Sequence, residues 1–217
     1  MTFSIAAYDP ISSACGIAVS SCVPAVGAAI PFVSLDGAIA TQSRFNYALG
    51  AYGLQALALG IRIDDTLRAL LANDPAPQLR QVHGVDRFGH TFLHSGDEVK
   101  DWKGGSLNAE RSVAGNTLVG EEVVEAMASG YDDHPDAPFA ERLLLALEAG
   151  QDAGGDRRGR QSAALLIAAP EVAFHHNLRV DDHPDPVHEL RRVYHVAHRL
   201  GIERQARPRH VPLRLKL

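Results

Sequence analysis

The second residue of the chain is a threonine, and an apolar strand-like run begins directly after it. Residues 2–8, TFSIAAY, alternate apolar side chains with small or polar ones. If Met1 were removed, Thr2 would have a free α-amine beside its hydroxyl, and so a nucleophile and a base in one residue. An α-amine titrates near pH 7.7–8.0, which suits a general base at about neutral pH. Thr2 is therefore a candidate catalytic residue, and the alternative is an ordinary residue of an edge strand.

A second group of polar residues lies where a loop enters an apolar strand. The stretch GGDRRGRQSAALLI contains Asp156, Arg158, Gln161 and Ser162. Loops at strand ends are common positions for functional side chains, so these four residues are candidates for catalysis or substrate binding. The alternative, equally open, is a helix C-terminus followed by a solvated, arginine-rich turn.

Polar residues also follow a strand of small residues in GAIATQSRFN. Gln42, Arg44 and Asn46 could bind the amide or carboxylate of a substrate, or they could cap the helix that follows. Asn116, in AGNTLVG, has an amide that could face a developing oxyanion or could hold a turn.

The C-terminal region is rich in histidine: six of the eleven histidines lie between His175 and His198. Such a density raises the hypothesis of a metal site. On the predicted last helix, however, histidines share the polar side with arginines, which would repel a cation. We therefore expect no metal and no other cofactor. A metal-dependent hydrolase using His183, His188 and the Asp181–Asp182 pair is the weakest hypothesis.

The composition indicates an ordinary globular protein. The chain has 217 residues, of which 46% are hydrophobic and 22% charged, enough for one sizeable domain. It contains neither an apolar run of about 18 residues nor a signal-peptide pattern, and its two cysteines lack CxxC spacing. We therefore expect a cytoplasmic protein without a membrane partner. The net charge of −5 does not indicate nucleic-acid binding.

The periodicity of the sequence predicts four strands, two helices, several strands, two helices, two strands and one helix. Hairpin signals favour antiparallel sheets, because parallel strands need long crossovers. Strands that are apolar on both faces, such as SAALLIAAP, need helices to cover them. We predict an α+β fold with two sheets packed face to face and helices outside. Residues 1–200 would form a single domain, and residues 201–217 a basic C-terminal extension.

Together these stretches resemble the DUF1028 family. The matching segments are TFSIAAYDP, GIAVSS, ATQ with Asn46 downstream, GN at Gly115–Asn116, LEAGQDAGGDRRGRQSAALL and LRVDDHPDPVHELRR. The resemblance covers about residues 2–195, and the glycine–aspartate–arginine–serine segment is its most specific part.

That family in turn resembles the N-terminal-nucleophile (Ntn) hydrolases. This resemblance implies a four-layer αββα sandwich, with two antiparallel sheets packed between helices, and cleavage of amide bonds. It also implies that Thr2 is the nucleophile, that Asp156 and Ser162 lie near its amine, and that Asn116 or a nearby backbone N–H binds the oxyanion. Proteasome-like members have an acid on the second strand and a lysine on the third, where this chain offers serines and Arg44.

The leading hypothesis is therefore an amidohydrolase that cleaves a small amide or peptide-like C–N bond through Thr2. The alternative is a non-catalytic binding protein on the same fold, in which Gln42, Arg44, Asn46 and Arg158 recognise a carboxylate or an amide. Small residues on the first strands would also suit a homodimer interface.

Overall fold

The structure, a computed structural model, describes residues 2–171 and 173–205. Over these residues the chain forms ten strands and five α-helices. The strands are β1 (Thr2–Asp9), β2 (Ala14–Ser21), β3 (Pro31–Ser34), β4 (Gly37–Ser43), β5 (Arg80–Asp86), β6 (Thr91–Ser95), β7 (Lys103–Asn108), β8 (Arg111–Asn116), β9 (Ser162–Ala168) and β10 (Asn177–Val180). The helices are α1 (Tyr47–Ala58), α2 (Ile63–Ala72), α3 (Glu122–Asp132), α4 (Phe139–Asp152) and α5 (Pro186–Gln205).

The strands form two antiparallel sheets, as the hairpin signals predicted. One has six strands in the order β10-β9-β2-β1-β8-β7, and the other has four in the order β3-β4-β5-β6. The first strand, β1, lies in the interior of the larger sheet, paired with β2 on one side and β8 on the other. Thr2 therefore begins a central strand and not an edge strand.

Alternation along the strands separates the apolar residues into layers. On β1, Phe3 and Ile5 belong to a core shared with α3, α4 and α5, whereas Ala6 belongs to a core between the two sheets. A third core, which includes Ile39 of β4, lies between the smaller sheet and helices α1 and α2. The mixed α+β prediction is confirmed, and the arrangement is consistent with a sandwich of two sheets with helices on their outer faces.

The C-terminal part of the described chain is helical. Helix α5 continues past residue 200 to Gln205, and residues 206–217 of the expected basic extension lie outside the described residues. Within the described ranges, no helix combines the length and the apolar character that crossing a bilayer requires.

Candidate functional site

Four polar side chains form a row across the larger sheet at the end where β1 begins. Thr2 is paired with Asn116 of β8 and with Ser21 of β2, and Ser21 is paired in turn with Ser162 of β9. Because directly paired residues lie on the same face of a sheet, these side chains are neighbours. All four are buried, with Thr2 3% exposed and the others 1% or less. We call them the polar row.

A matching set of polar side chains lies on the smaller sheet. Gln42, Gln81 and Ser95 are paired across β4, β5 and β6. The Gln81 Oε1 accepts hydrogen bonds from Gln42 Nε2 (2.8 Å) and from Asn116 Nδ2 (2.9 Å), which joins the two sheets. The Gln81 Nε2 donates to Ser95 Oγ and to the backbone oxygen of Gly115, both at 2.8 Å. Gln81 thereby fixes the orientation of the Asn116 amide.

The hydroxyl of Thr2 has a hydroxyl neighbour within hydrogen-bond distance. Thr2 Oγ1 donates to Ser21 Oγ at 3.2 Å. Ser162 lies one strand further away, roughly 10 Å from Thr2 at the usual strand spacing. Its Oγ donates to the backbone oxygen of Val23 (2.5 Å) and accepts from the backbone N–H of Val26 (3.1 Å). Ser162 therefore anchors the turn after β2, and Ser21 is the serine next to Thr2.

Asp156 contacts the segments that follow β2 and β8, the two strands on either side of β1. Its Oδ2 accepts from the backbone N–H of Cys22 (3.1 Å), one residue beyond Ser21. It also forms an isolated bridge with Leu118, two residues beyond Asn116. The guanidinium of Arg158 binds the carboxylate, with 2.9 Å from Nη2 to Oδ2. Asp156 is only 5% exposed, so its negative charge is held close to the end of the sheet at which Thr2 lies.

The polar row has a lysine at its other end. Lys103 of β7 is paired with Asn116, so it continues the row by one strand. Its Nζ donates to the backbone oxygens of Gly96 (3.1 Å), Asp97 (2.7 Å) and Val99 (2.8 Å). The ammonium group therefore holds the turn that precedes β7.

The side chains of Asn46 and Gln161 form their hydrogen bonds outside the polar row. Asn46 caps α1, since its Oδ1 accepts from the backbone N–H of Ala48 (3.0 Å), and its Nδ2 donates to Asp74 (2.7 Å). Arg44 is exposed beyond the end of β4. The last of the predicted binding side chains, Gln161, donates through Nε2 to Asp182 Oδ1 at 3.1 Å.

A buried histidine that the sequence analysis did not select lies beside the polar row and the glutamines of the smaller sheet. Ser4 Oγ is 2.7 Å from His83 Nε2, and Ser112 Oγ is 2.9 Å from His83 Nδ1. Ser4 also donates to Gln42 Oε1 at 3.1 Å. Burial lowers the pKa of His83 to about 3, so the ring is neutral at physiological pH. The only sequence signal was a polar residue at alternate positions of RQVHGVD, at Gln81 and His83.

The C-terminal histidines form short-range contacts. His183 Nδ1 accepts from the backbone N–H of Asp185 (3.0 Å), and His188 Nδ1 is 2.9 Å from the Asp185 carboxylate. Among the residues that the structure describes, no three His, Cys, Asp or Glu side chains are grouped so that they could hold a metal ion.

The comparison with known proteins agrees with the resemblance seen in the sequence. The profile of DUF1028, a family of unknown function, matches residues 2–190. The chain belongs to the DUF1028 family. The crystal structure of a DUF1028 protein from Silicibacter pomeroyi is similar, with 32% sequence identity and a TM-score of 0.82 over 90% of this chain and 88% of that chain. No curated protein matches this DUF1028 protein.

Proposed function

We propose that this DUF1028 protein is an Ntn-type amidohydrolase that cleaves a small amide or peptide-like C–N bond through Thr2. The main support is the position of the Thr2 hydroxyl. It lies at the first residue of a central strand, between Ser21 and Asn116, among buried polar groups of both sheets. An N-terminal nucleophile needs this placement, because the amine, the hydroxyl and the oxyanion donor must converge on one carbonyl group.

In the proposed mechanism, removal of Met1 first frees the α-amine of Thr2. The amine accepts the hydroxyl proton, and Oγ1 attacks the carbonyl carbon of the substrate. Gln81 accepts one of the two Asn116 Nδ2 hydrogens, which leaves the other to bind the oxyanion together with backbone N–H groups. The protonated amine then donates to the leaving nitrogen, and the C–N bond breaks. Water hydrolyses the resulting ester and regenerates Thr2.

Two further features support the assignment. Helices on the outer faces of both sheets agree with the four-layer αββα arrangement of Ntn hydrolases. Cys15 and Cys22 are both free thiols, which supports a cytoplasmic location for the enzyme. The proposed partner is thus a small-molecule amide or peptide-like substrate.

The intact mass of the protein purified from its native source tests the first requirement. We expect the mass of the chain without Met1. Incubation with a β-lactone, an electrophile that acylates nucleophilic hydroxyls, should then add one acyl group to the wild type. Thr2→Ala should remove the adduct, whereas Thr2→Ser should keep it, because serine retains a hydroxyl at the same position.

Turnover is measured next, with a panel of small amides and the same variants. Hydrolysis that Thr2→Ala abolishes, with an unchanged melting temperature, supports the proposal. Full retention of Met1, or an adduct that persists in Thr2→Ala, would contradict it. Binding of an amide that survives Thr2→Ala, without any product, would instead favour the non-catalytic binding protein.

A further inference from the structure

A cavity of about 520 Å³ opens on the helix-covered face of the larger sheet, far from the polar row. It lies at the start of β2 and beyond the end of β9, against the first turn of α4. Ala14 is at this end of β2 and Ser21 at the other, seven residues away, so the cavity and the polar row are roughly 23 Å apart. One small molecule cannot occupy both places.

The walls of this cavity are mostly apolar. Its apolar lining includes Phe139 and Ala140 of α4, Ile167 of β9, Ala14 and Ala169. Its volume is within the range of about 300–1,000 Å³ that is usual for small-molecule sites. These walls fit a ligand with an apolar body of a few carbon atoms.

Two histidines, His175 and His176, contribute ring nitrogens to the lining, whose other polar side chains are Ser12 and Glu171. The Nδ1 of His176 accepts a hydrogen bond from the backbone N–H of Ala173 at 3.3 Å. In a neutral ring the proton must therefore be on Nε2, which has no hydrogen-bond partner among the described residues. Burial lowers the pKa of His176, and it lowers that of His175 to about 4, so both rings are uncharged near pH 7.

The formal charge around the cavity is low. Among the described residues that line it there is no lysine or arginine, and Glu171 is its one carboxylate. Glu171 is exposed to solvent, which weakens its attraction for a cation. An anionic ligand would have no counter-charge in the cavity, and desolvating any charged group there would be costly.

We propose that this cavity is a binding site for an uncharged small molecule with an apolar body and a carbonyl oxygen. The carbonyl accepts a hydrogen bond from Nε2–H of His176, and the apolar body packs between Phe139 and Ile167. The site is independent of Thr2 and of the proposed hydrolase reaction.

Three probes of equal length and different charge test the proposal: hexanamide, hexanoate and hexylamine. Each is titrated at pH 7.5 into the full-length protein labelled with ¹⁵N, and the backbone amide shifts are followed by NMR. We expect a Kd for hexanamide at least tenfold below those of the two charged probes. The largest shifts should fall on Ala140, Ala169 and His176.

Variants separate the two parts of the site. His176→Phe keeps an aromatic ring but removes the donor, and should weaken hexanamide at least fivefold. Ala169→Phe fills the cavity and should abolish binding. Ala69→Phe, the same change at an exposed position of α2, should leave the Kd unchanged. The dispersion of the amide spectrum shows whether each variant is folded. If Ala169→Phe proves to be unfolded, the proposal is judged on His176→Phe alone.

Several results would overturn the proposal. They are the absence of binding by hexanamide at 10 mM, equal or tighter binding of a charged probe, and shifts that cluster around Thr2 instead of Ala169. An unchanged Kd in His176→Phe would also contradict the hydrogen bond from Nε2.

Discussion

At the scale of single residues, the layer between the sheets shows why buried polar groups come in networks. His83 is completely buried, and a serine hydroxyl lies within hydrogen-bond distance of each ring nitrogen. An unpaired buried polar group costs about 1–3 kcal/mol, so Ser4 and Ser112 are required partners once the histidine is there. A protonated ring would lose the nitrogen that accepts a hydrogen bond. Among the described residues, no carboxylate forms a hydrogen bond with either ring nitrogen. The native fold therefore holds His83 neutral.

This neutrality predicts how the stability of the protein depends on pH. The pKa of His83 is about 3 in the folded chain and about 6.5 when it unfolds, so between these values the unfolded state binds one more proton. The free energy of unfolding should therefore be highest above pH 6.5 and fall by about 1 kcal/mol per pH unit below it. Urea unfolding at pH 7, 6 and 5 measures this slope, and His83→Gln should have a smaller one.

The comparison of slopes isolates His83 from the other histidines. His175 and His176 have lowered pKa values as well, but they are present in both proteins and cancel. Equal slopes for the wild type and His83→Gln would contradict the prediction, even if the variant were less stable at every pH.

At the scale of elements, local patterns predicted what depends on neighbouring residues and missed what depends on distant ones. The helix over residues 47–58 and its glycine stop were predictable, and Gly60 has the left-handed φ of 82° that such a stop requires. The helix that begins near Asp64 was predictable as well, but its cap was not, because the backbone N–H of Ile63 donates to Asp86 Oδ2 of a distant strand at 3.2 Å. Strand β7 was not predicted either, since KGGSLN lacks an apolar alternation and forms a strand by pairing with β8.

Close packing of α1 on the smaller sheet gives a prediction for glycine. A Cβ on Gly50 would come within 2.2–2.5 Å of the Phe32 ring, whereas a Cβ on Gly201 of α5 would have no atom of the described residues within 4 Å. Gly50→Ala should therefore destabilise the protein by about 2 kcal/mol through overpacking. Gly201→Ala should stabilise it by up to about 1 kcal/mol, because alanine is the better helix former. Thermal unfolding of both variants measures the difference, and a shift in the same direction for both would contradict it.

At the scale of the whole molecule, the candidate site depends on two sheets that meet only in the folded chain. Thr2 could be selected from the sequence because removal of Met1 would free its α-amine, and Gln42 and Asn116 because each is a polar residue at the end of an apolar strand. Ser21 and Gln81 could not be selected with them, since their roles follow from strand register and from contacts between the sheets. Such long-range pairing is not visible in local spacing.

The packing of α5 on α4 yields the last prediction, with a matched pair of arginines. The side chain of Arg191 is 14% exposed, and it binds Glu148 at 2.7 Å as well as Glu141, both on α4. Its neighbour Arg192 has a side chain that is 65% exposed, and it binds Glu189 of its own helix. Arg191→Met leaves two half-buried carboxylates facing each other, so we expect a loss of about 2 kcal/mol in the free energy of unfolding. Arg192→Met removes only a solvated ion pair and should cost less than about 0.5 kcal/mol. Urea unfolding at pH 7 measures both, and equal losses would mean that the ion pairs between the helices do not stabilise the docking of α5.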